Sequence, residues 1–136
     1  MELTIKEIAN IISGQAYGDL EAIIEGVSTD SRTLHDNQLF VPIIAERNGH
    51  DFIDDAISKG ASAHLFAEGE PQGNAIKVLD TLTALQELAK FYRKTIEGDV
   101  IGITGSVGKT TTKDILYSSL RDLTEVHVSK LSFNNE

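Results

Sequence analysis

Apolar residues at helical spacing begin the chain. Thr4 and Glu7 have the spacing of a capping box, in which each satisfies the backbone N–H of the other. Four isoleucines follow at successive intervals of three, three and one residues: Ile5, Ile8, Ile11 and Ile12. These positions share one face of a helix. The pattern therefore predicts a helix that begins at Thr4 and ends near Gly14, since glycine is common at helix ends.

Short apolar runs separated by polar loops predict strands. They lie at 23–27, 39–41, 61–67 and 75–79. A helix is predicted over 52–59 with Gly60 as its end, and another from the capping residue Asp80 to about Thr95. The apolar stripe of the latter helix is Leu82, Leu85, Leu88, Ala89 and Tyr92.

The order of these elements predicts two parts. Residues 1–98 form a complete, small mixed α/β domain, and an apolar run at 100–103 begins a new unit. After that run come a glycine loop, a helix and a predicted strand at 126–128. The pattern over residues 99–136 therefore predicts the first strand, loop and helix of a doubly wound, P-loop ATPase domain. About 38 residues cannot supply the remaining strands of such a sheet, so we expect this domain to be truncated.

Composition excludes several classes of protein. An apolar content of 40% is enough for a packed core, and the net charge is -9, with 16 acidic against 8 basic residues in front of Gly98. This balance disfavours binding to nucleic acid or to an anionic membrane. The chain has no cysteine, no run long enough to span a membrane and no signal-peptide pattern at its start. We expect a cytoplasmic protein without membrane insertion.

The glycine loop has the chemistry of a phosphate site. Glycines let the backbone approach an anion closely, and the amides at the start of a helix favour negative charge. Lys109 is expected to reach the β- and γ-phosphates as a catalytic residue, and the Thr110 hydroxyl to bind Mg²⁺. Ile103 occupies the position where the common phosphate-loop motif has its first glycine. The predicted ATP-binding residues are Gly105, Ser106, Val107, Gly108, Lys109, Thr110 and Thr111.

The motif G-x-x-G-K-T-T at 105–111 resembles the ATP loop of the Mur ligases. Four further blocks follow the order found in the N-terminal domains of the MurE and MurF types; they are 27–32, 37–42, 48–53 and 56–61. The ending Phe133-Asn134-Asn135-Glu136 favours the MurF type. The chain departs from those relatives at Ala45, Asn48 and Leu131-Ser132.

This resemblance implies an enzyme that uses ATP and Mg²⁺ in bacterial wall synthesis. A MurF-type ligase joins D-alanyl-D-alanine to a UDP-N-acetylmuramoyl tripeptide through an acyl phosphate. The resemblance also implies that the uridine diphosphate group is held by Ser31, Arg32, Glu46, Arg47, Asn48 and Gly49. Hydroxyl and guanidinium donors suit a diphosphate. The family needs further magnesium ligands, a modified lysine and a C-terminal domain, so the 136 residues alone are expected to lack ligase activity.

Alternatives remain at the level of the sequence. A MurE-type ligase that adds the third amino acid shares the front blocks. An unrelated P-loop kinase or NTPase would not need them. A third alternative is a non-enzymatic module that acts only as a receptor for a UDP-sugar. Asp30 to Arg32 could equally be a turn with an exposed ion pair. We expect His50 to be a structural hydrogen-bonding residue, Asp54 and Asp55 to be solvated, and His64 to have no role.

Overall fold

The computed structural model describes residues 2–45 and 48–129. The chain divides into two compact units, Met1–Glu97 and Gly98–Glu136. Across the described residues, no helix is both long enough and apolar enough to cross a membrane.

The first unit contains seven strands and three α-helices among its described residues. A turn of 3-10 helix at Gly49–Phe52 precedes its second α-helix. In chain order the elements are β1 (Leu3–Thr4), α1 (Ile5–Ile11), β2 (Gln15–Tyr17), β3 (Ile23–Ile24), β4 (Gly26–Ser28), β5 (Gln38–Phe40), α2 (Ile53–Ser58), β6 (Ala63–Phe66), β7 (Ala75–Lys77) and α3 (Thr81–Thr95).

Five of the strands form one sheet in the order β2-β7-β6-β5-β4. The neighbours β4, β5, β6 and β7 are parallel, and β2 joins β7 antiparallel at the edge. Strands β1 and β3 make a separate antiparallel pair. The predicted mixed α/β fold is confirmed, and its core is a parallel sheet. Because the four parallel strands run the same way, the loops after their carboxyl ends leave from one edge of the sheet.

Helices cover both faces of this sheet. Side chains alternate along β6, so Leu65 packs in the cluster that contains residues of α1 and α3, whereas Phe66 packs with residues of α2. All four residues of β6 are buried, as expected of a central parallel strand. The cluster on the α2 side is Leu34, Phe40, Ile53, Ala56, Phe66 and Ala75.

Three predicted helix ends are confirmed. Thr4 forms the capping box with Glu7, whose carboxylate accepts the Thr4 N–H at 2.7 Å. Asp80 accepts the Thr83 N–H at 2.7 Å at the start of α3. Gly60 takes a φ of +96° just after α2. In each case the residue that predicts the helix end lies within a few residues of the backbone groups at that end.

Other local predictions are wrong. Helix α1 ends at Ile11, and after its C-cap Ile12 it is Ser13, at φ +53°, and not Gly14 that takes the left-handed conformation. The single strand expected at 23–27 is two strands that belong to different sheets, and β2 was not predicted at all. Helix α3 buries Thr81, Ala84 and Leu88 rather than the full apolar stripe, so Leu82 and Tyr92 are exposed.

The described part of the second unit contains one helix, α4 (Lys109–Leu120), which begins where the sequence predicts. The strands predicted at 100–103 and 126–128 are not formed. Val100 and Ile101 are 65% and 59% exposed. A strand requires a partner for its backbone N–H and C=O groups, and the described residues of this unit provide none. The motif 133–136 and Leu131-Ser132 lie outside the described residues.

Candidate nucleotide and substrate sites

The predicted residues of the uridine diphosphate site follow two adjacent parallel strands. Ser31 and Arg32 lie in the loop after β4, and Asn48 and Gly49 lie in the loop after β5. Both loops leave the carboxyl edge of the sheet, which is where open α/β sheets bind ligands. Glu46 and Arg47, the other two predicted residues, lie outside the described residues.

Ser31 is anchored to helix α2. Its side chain is almost fully buried, and its Oγ donates a hydrogen bond to Oδ2 of Asp55 at 2.6 Å. The Lys59 ammonium group donates to the same oxygen at 2.8 Å. The hydrogen bonds from Lys59 and then Ser31 lower the pKa of the Asp55 carboxyl group. The Asp55 side chain is 42% exposed, so it is partly solvated as expected, but it also accepts two hydrogen bonds that the sequence did not predict. Asp54 is exposed as expected.

Arg32 forms an exposed ion pair with Asp30. Its Nε and Nη2 donate to the two carboxylate oxygens at 2.9 and 2.7 Å, and its backbone N–H donates to Oδ1. These contacts, led by the guanidinium hydrogen bonds, lower the pKa of Asp30 to about 2. The Arg32 side chain is 82% exposed. The structure thus shows the turn with an exposed ion pair, which was one of the two interpretations of the sequence. The guanidinium group nevertheless faces solvent.

The loop after β5 is held by His50 and Asn48. The Asn48 side-chain oxygen accepts from the backbone N–H of His50 at 3.1 Å and lies 2.9 Å from its Nδ1. Nε2 of His50 accepts the N–H of Ala67, directly after β6, at 3.1 Å. Since Nε2 accepts, Nδ1 carries the proton in this arrangement. Both ring nitrogens are used within the protein, as a structural histidine requires.

His64 is a buried residue whose importance the sequence did not reveal. It lies on β6 and is 1% exposed, and neither ring nitrogen has a hydrogen-bond partner among the described residues. Burial lowers its pKa to about 4, with a further lowering from His50 and a smaller opposing effect of Asp54. A lone histidine in an apolar strand carries no spacing signal, so only the structure identifies it.

The glycine loop of the second unit closes on itself. Gly105 and Gly108 have φ values of +155° and +80°, which disfavour any side chain. Lys109 Nζ donates to the carbonyl oxygen of Gly105 at 2.5 Å, across the loop. Gly108 is the N-cap of α4 and offers no side chain to cap it. The first amides of α4 and the lysine therefore meet at this loop, as binding of a phosphate requires.

The described residues contribute little to a metal site. Within 2–45 and 48–129, no group of three His, Cys, Asp or Glu side chains could hold a metal ion. Thr110 lies in the first turn of α4, next to the loop, and a hydroxyl is a hard oxygen of the kind that Mg²⁺ prefers. The chemistry of Lys109, of the first amides of α4 and of the Thr110 hydroxyl is compatible with the phosphates of a nucleotide and with one ligand of a magnesium ion.

An open groove of about 740 Å³ lies along α3. Its lining includes Ile11, Phe91, Lys90 and Lys94, and none of the predicted site residues. The groove is on the side of the sheet that carries α1 and α3, so it gives no support to the predicted sites.

Known proteins similar to this chain are Mur ligases, although no family model matches the chain. The UDP-N-acetylmuramoyl-tripeptide–D-alanyl-D-alanine ligase of Bacillus subtilis is 41% identical over 139 residues, which cover 97% of this chain and 30% of that protein. The crystal structure II of MurF from Acinetobacter baumannii is 28% identical with a TM-score of 0.80, covering 92% of this chain and 28% of that chain. The crystal structure of MurF ligase from Thermotoga maritima in complex with ADP is 32% identical with a TM-score of 0.68, covering 76% and 25%.

The chain belongs to the Mur ligase family. Within that family the relatives named above are of the MurF type, which is the type that the sequence predicted. The chain spans about a third or less of the length of the relatives that it matches.

Proposed function

We propose that this chain provides the substrate-binding domain and the ATP loop of a ligase that joins D-alanyl-D-alanine to a UDP-N-acetylmuramoyl tripeptide. The observation that carries the proposal is the 41% identity over 97% of the chain to a ligase named for that reaction. ATP is available in the cytoplasm, where we propose that the protein acts.

In this proposal Gly98–Glu136 contributes the phosphate loop of a doubly wound ATPase domain. The complex of a similar ligase with ADP supports nucleotide binding. The amides at the start of α4 and the Lys109 ammonium group would hold the β- and γ-phosphates, and Thr110 would supply one oxygen to Mg²⁺. The hydrogen bond to the Gly105 carbonyl holds Lys109 beside the loop before ATP binds. On binding, the ammonium group would donate to a phosphate oxygen instead.

The chemistry asked of these residues is mainly electrostatic. ATP supplies the phosphoryl group that activates the carboxylate of the tripeptide for attack by the amine of D-alanyl-D-alanine. Lys109 and the loop amides would stabilise negative charge on the phosphoryl oxygens as it develops. Fixed donors of this kind need no rearrangement during the reaction, which is why losing one typically lowers the rate by about 10²-fold or more.

The first unit would hold the uridine diphosphate group at the carboxyl edge of its sheet. We propose the predicted residues Ser31, Arg32, Glu46, Arg47, Asn48 and Gly49 for this role. Arg32 is the best candidate among the described residues for direct contact, because its guanidinium group is exposed and its partner Asp30 forms only a surface ion pair. Ser31, which is buried, would act through the position of the loop.

The test is ligation by the full-length protein. We expect formation of the joined product from ATP, the UDP-muramoyl tripeptide and D-alanyl-D-alanine, followed by mass spectrometry, and we expect Lys109→Ala to lower kcat by about 10²-fold or more. Arg121→Ala, which removes a positive charge at the other end of α4, is the matched control and should retain activity. Near-normal turnover by Lys109→Ala would exclude the proposed role of the loop.

A further inference from the structure

Two side chains donate hydrogen bonds to a single carboxylate oxygen of a third residue, Asp55. Ser31, in the loop after β4, and Lys59, at the end of α2, both donate to Oδ2 of Asp55. We refer to Ser31, Asp55 and Lys59 as the Asp55 cluster. Ser31 and Asp55 are 24 residues apart in sequence, so their hydrogen bond is a tertiary contact that ties the loop after β4 to helix α2.

The hydroxyl of Ser31 is not available to donate to a ligand. A serine hydroxyl has one hydrogen, and here it is committed to Asp55. The residue is also 5% exposed, which leaves little of it accessible. The next residue, Arg32, is the exposed group with donors for a phosphate. The Asp55 cluster therefore fixes the backbone from which Arg32 projects.

The negative charge of Asp55 strengthens its hydrogen bond with Ser31. Hydrogen bonds with one ionised partner are shorter and stronger than neutral ones, and the Ser31–Asp55 distance of 2.6 Å fits that class. The salt bridge to Lys59, four residues along α2, holds the Asp55 carboxylate in place. The pKa of Asp55 is lowered, so its carboxylate stays ionised near neutral pH.

We propose that Asp55 is a positioning residue for the nucleotide end of the substrate, acting through Ser31 on the loop that carries Arg32. This inference rests on the proposed binding of the uridine diphosphate group by that loop. It assigns a role to a carboxylate on α2 that neither touches the substrate nor takes part in the chemistry. Its loss should therefore weaken binding of one substrate and leave the reaction itself intact.

Steady-state kinetics of the full-length ligase test this role. Asp55→Ala should raise the KM for the UDP-muramoyl tripeptide about tenfold, since it removes a hydrogen bond to a charged group. The KM values for ATP and D-alanyl-D-alanine, and kcat, should change less than about twofold. Asp55→Asn keeps an oxygen that can accept from Ser31, so it should restore part of the loss. Asp54→Ala is the matched control, because this carboxylate is adjacent on α2 and exposed.

A double-mutant cycle distinguishes an effect of Asp55 through Ser31 from a general loss of structure. If Asp55 acts through Ser31, then Ser31→Ala and Asp55→Ala should each raise this KM, and the double variant should be no worse than either single variant. Additive effects, an unchanged KM in Asp55→Ala, or equal losses for all three substrates would overturn the inference. If Asp55→Ala does not fold, Asp55→Asn and Ser31→Ala carry the same cycle. An inactive wild-type ligase would instead refute the proposed function.

Discussion

The imidazole Nε2 of His50 accepts the backbone N–H of Ala67 at 3.1 Å. This bond joins the loop after β5 to the residue that follows β6, and Nδ1 of the same ring lies 2.9 Å from the Asn48 side-chain oxygen. One side chain thus connects two loops at the carboxyl edge of the sheet. A histidine whose two ring nitrogens both have partners within the protein contributes to the conformation of these loops.

His50→Ala should therefore destabilise the protein. It leaves the N–H of Ala67, which is half-buried, without its acceptor, and the cost of such a loss is about 1–2 kcal/mol in the free energy of unfolding. Urea unfolding followed by circular dichroism measures this change. His35→Ala is the control, because the His35 side chain is exposed. Equal unfolding midpoints for His50→Ala and the wild type would contradict the structural role.

Features decided within a few residues were predictable from the sequence. The capping box of Thr4 and Glu7, the Asp80 cap and the positive φ of Gly60 each depend on neighbours along the chain. The glycine turn before α4 belongs to the same class, because Gly105, Gly108 and Lys109 lie within five consecutive residues. Such signals do not depend on how the rest of the chain folds.

Features decided by packing were not predictable in the same way. Strand β2 (Gln15–Tyr17) is a short, half-exposed edge strand that exists because β7 pairs with it. Packing against the sheet decides which face of α3 is buried. Leu82 is therefore exposed, whereas Thr81 is buried and donates a hydrogen bond to the Pro42 carbonyl. The contact of Ser31 with Asp55 likewise requires the sheet to bring α2 beside the loop after β4.

The buried His64 should make stability depend on pH in the acidic range. Its pKa is about 4 in the folded protein, against 6.5 for the free side chain. Between these values the unfolded chain binds the proton and the folded protein does not, so the free energy of unfolding falls as the pH falls from 6.5 to about 4. A shift of this size corresponds to on the order of 3 kcal/mol, at about 1.4 kcal/mol per unit of pKa.

His64→Leu should remove this contribution, since leucine cannot be protonated and suits the apolar surroundings. We expect the difference in the free energy of unfolding between pH 7 and pH 4.5 to be smaller in His64→Leu than in the wild type. His35→Leu, at an exposed position, should leave the difference unchanged. A pH dependence identical in His64→Leu and the wild type would exclude His64 as its source.

Asp30 should compete with a diphosphate for Arg32. Asp30→Asn keeps an oxygen for the backbone N–H of Arg32 but removes the negative charge that pairs with the guanidinium group. Because exposed ion pairs contribute little, we expect UDP to bind about two- to fivefold more tightly, and less so at high salt. Calorimetry with UDP measures the affinity. Glu87→Gln, which breaks an exposed ion pair with Lys90 on α3, is the control and should have no effect.

A side chain at Gly49 would collide with the backbone of the preceding segment. A Cβ atom there would lie 2.5 Å from the nitrogen and 2.6 Å from the oxygen of Ile43, and neither atom can rotate away. The Gly49 N–H also donates to that oxygen at 3.0 Å. Gly49→Ala must therefore displace the loop after β5, and we expect the free energy of unfolding to fall by about 1–3 kcal/mol, as in overpacked sites.

Gly26→Ala is the matched control for this substitution, because its new methyl group would meet only the flexible side chain of Gln38, at 3.2 Å. Thermal unfolding of both variants, together with calorimetry with UDP, distinguishes two roles for Gly49. If the loop after β5 holds the uridine diphosphate group, Gly49→Ala should lose UDP affinity as well as stability, while Gly26→Ala should keep the affinity of the wild type. Lower stability with unchanged affinity would limit Gly49 to the fold and remove it from the proposed site. An unchanged unfolding temperature would contradict the close approach of Gly49 to Ile43 itself.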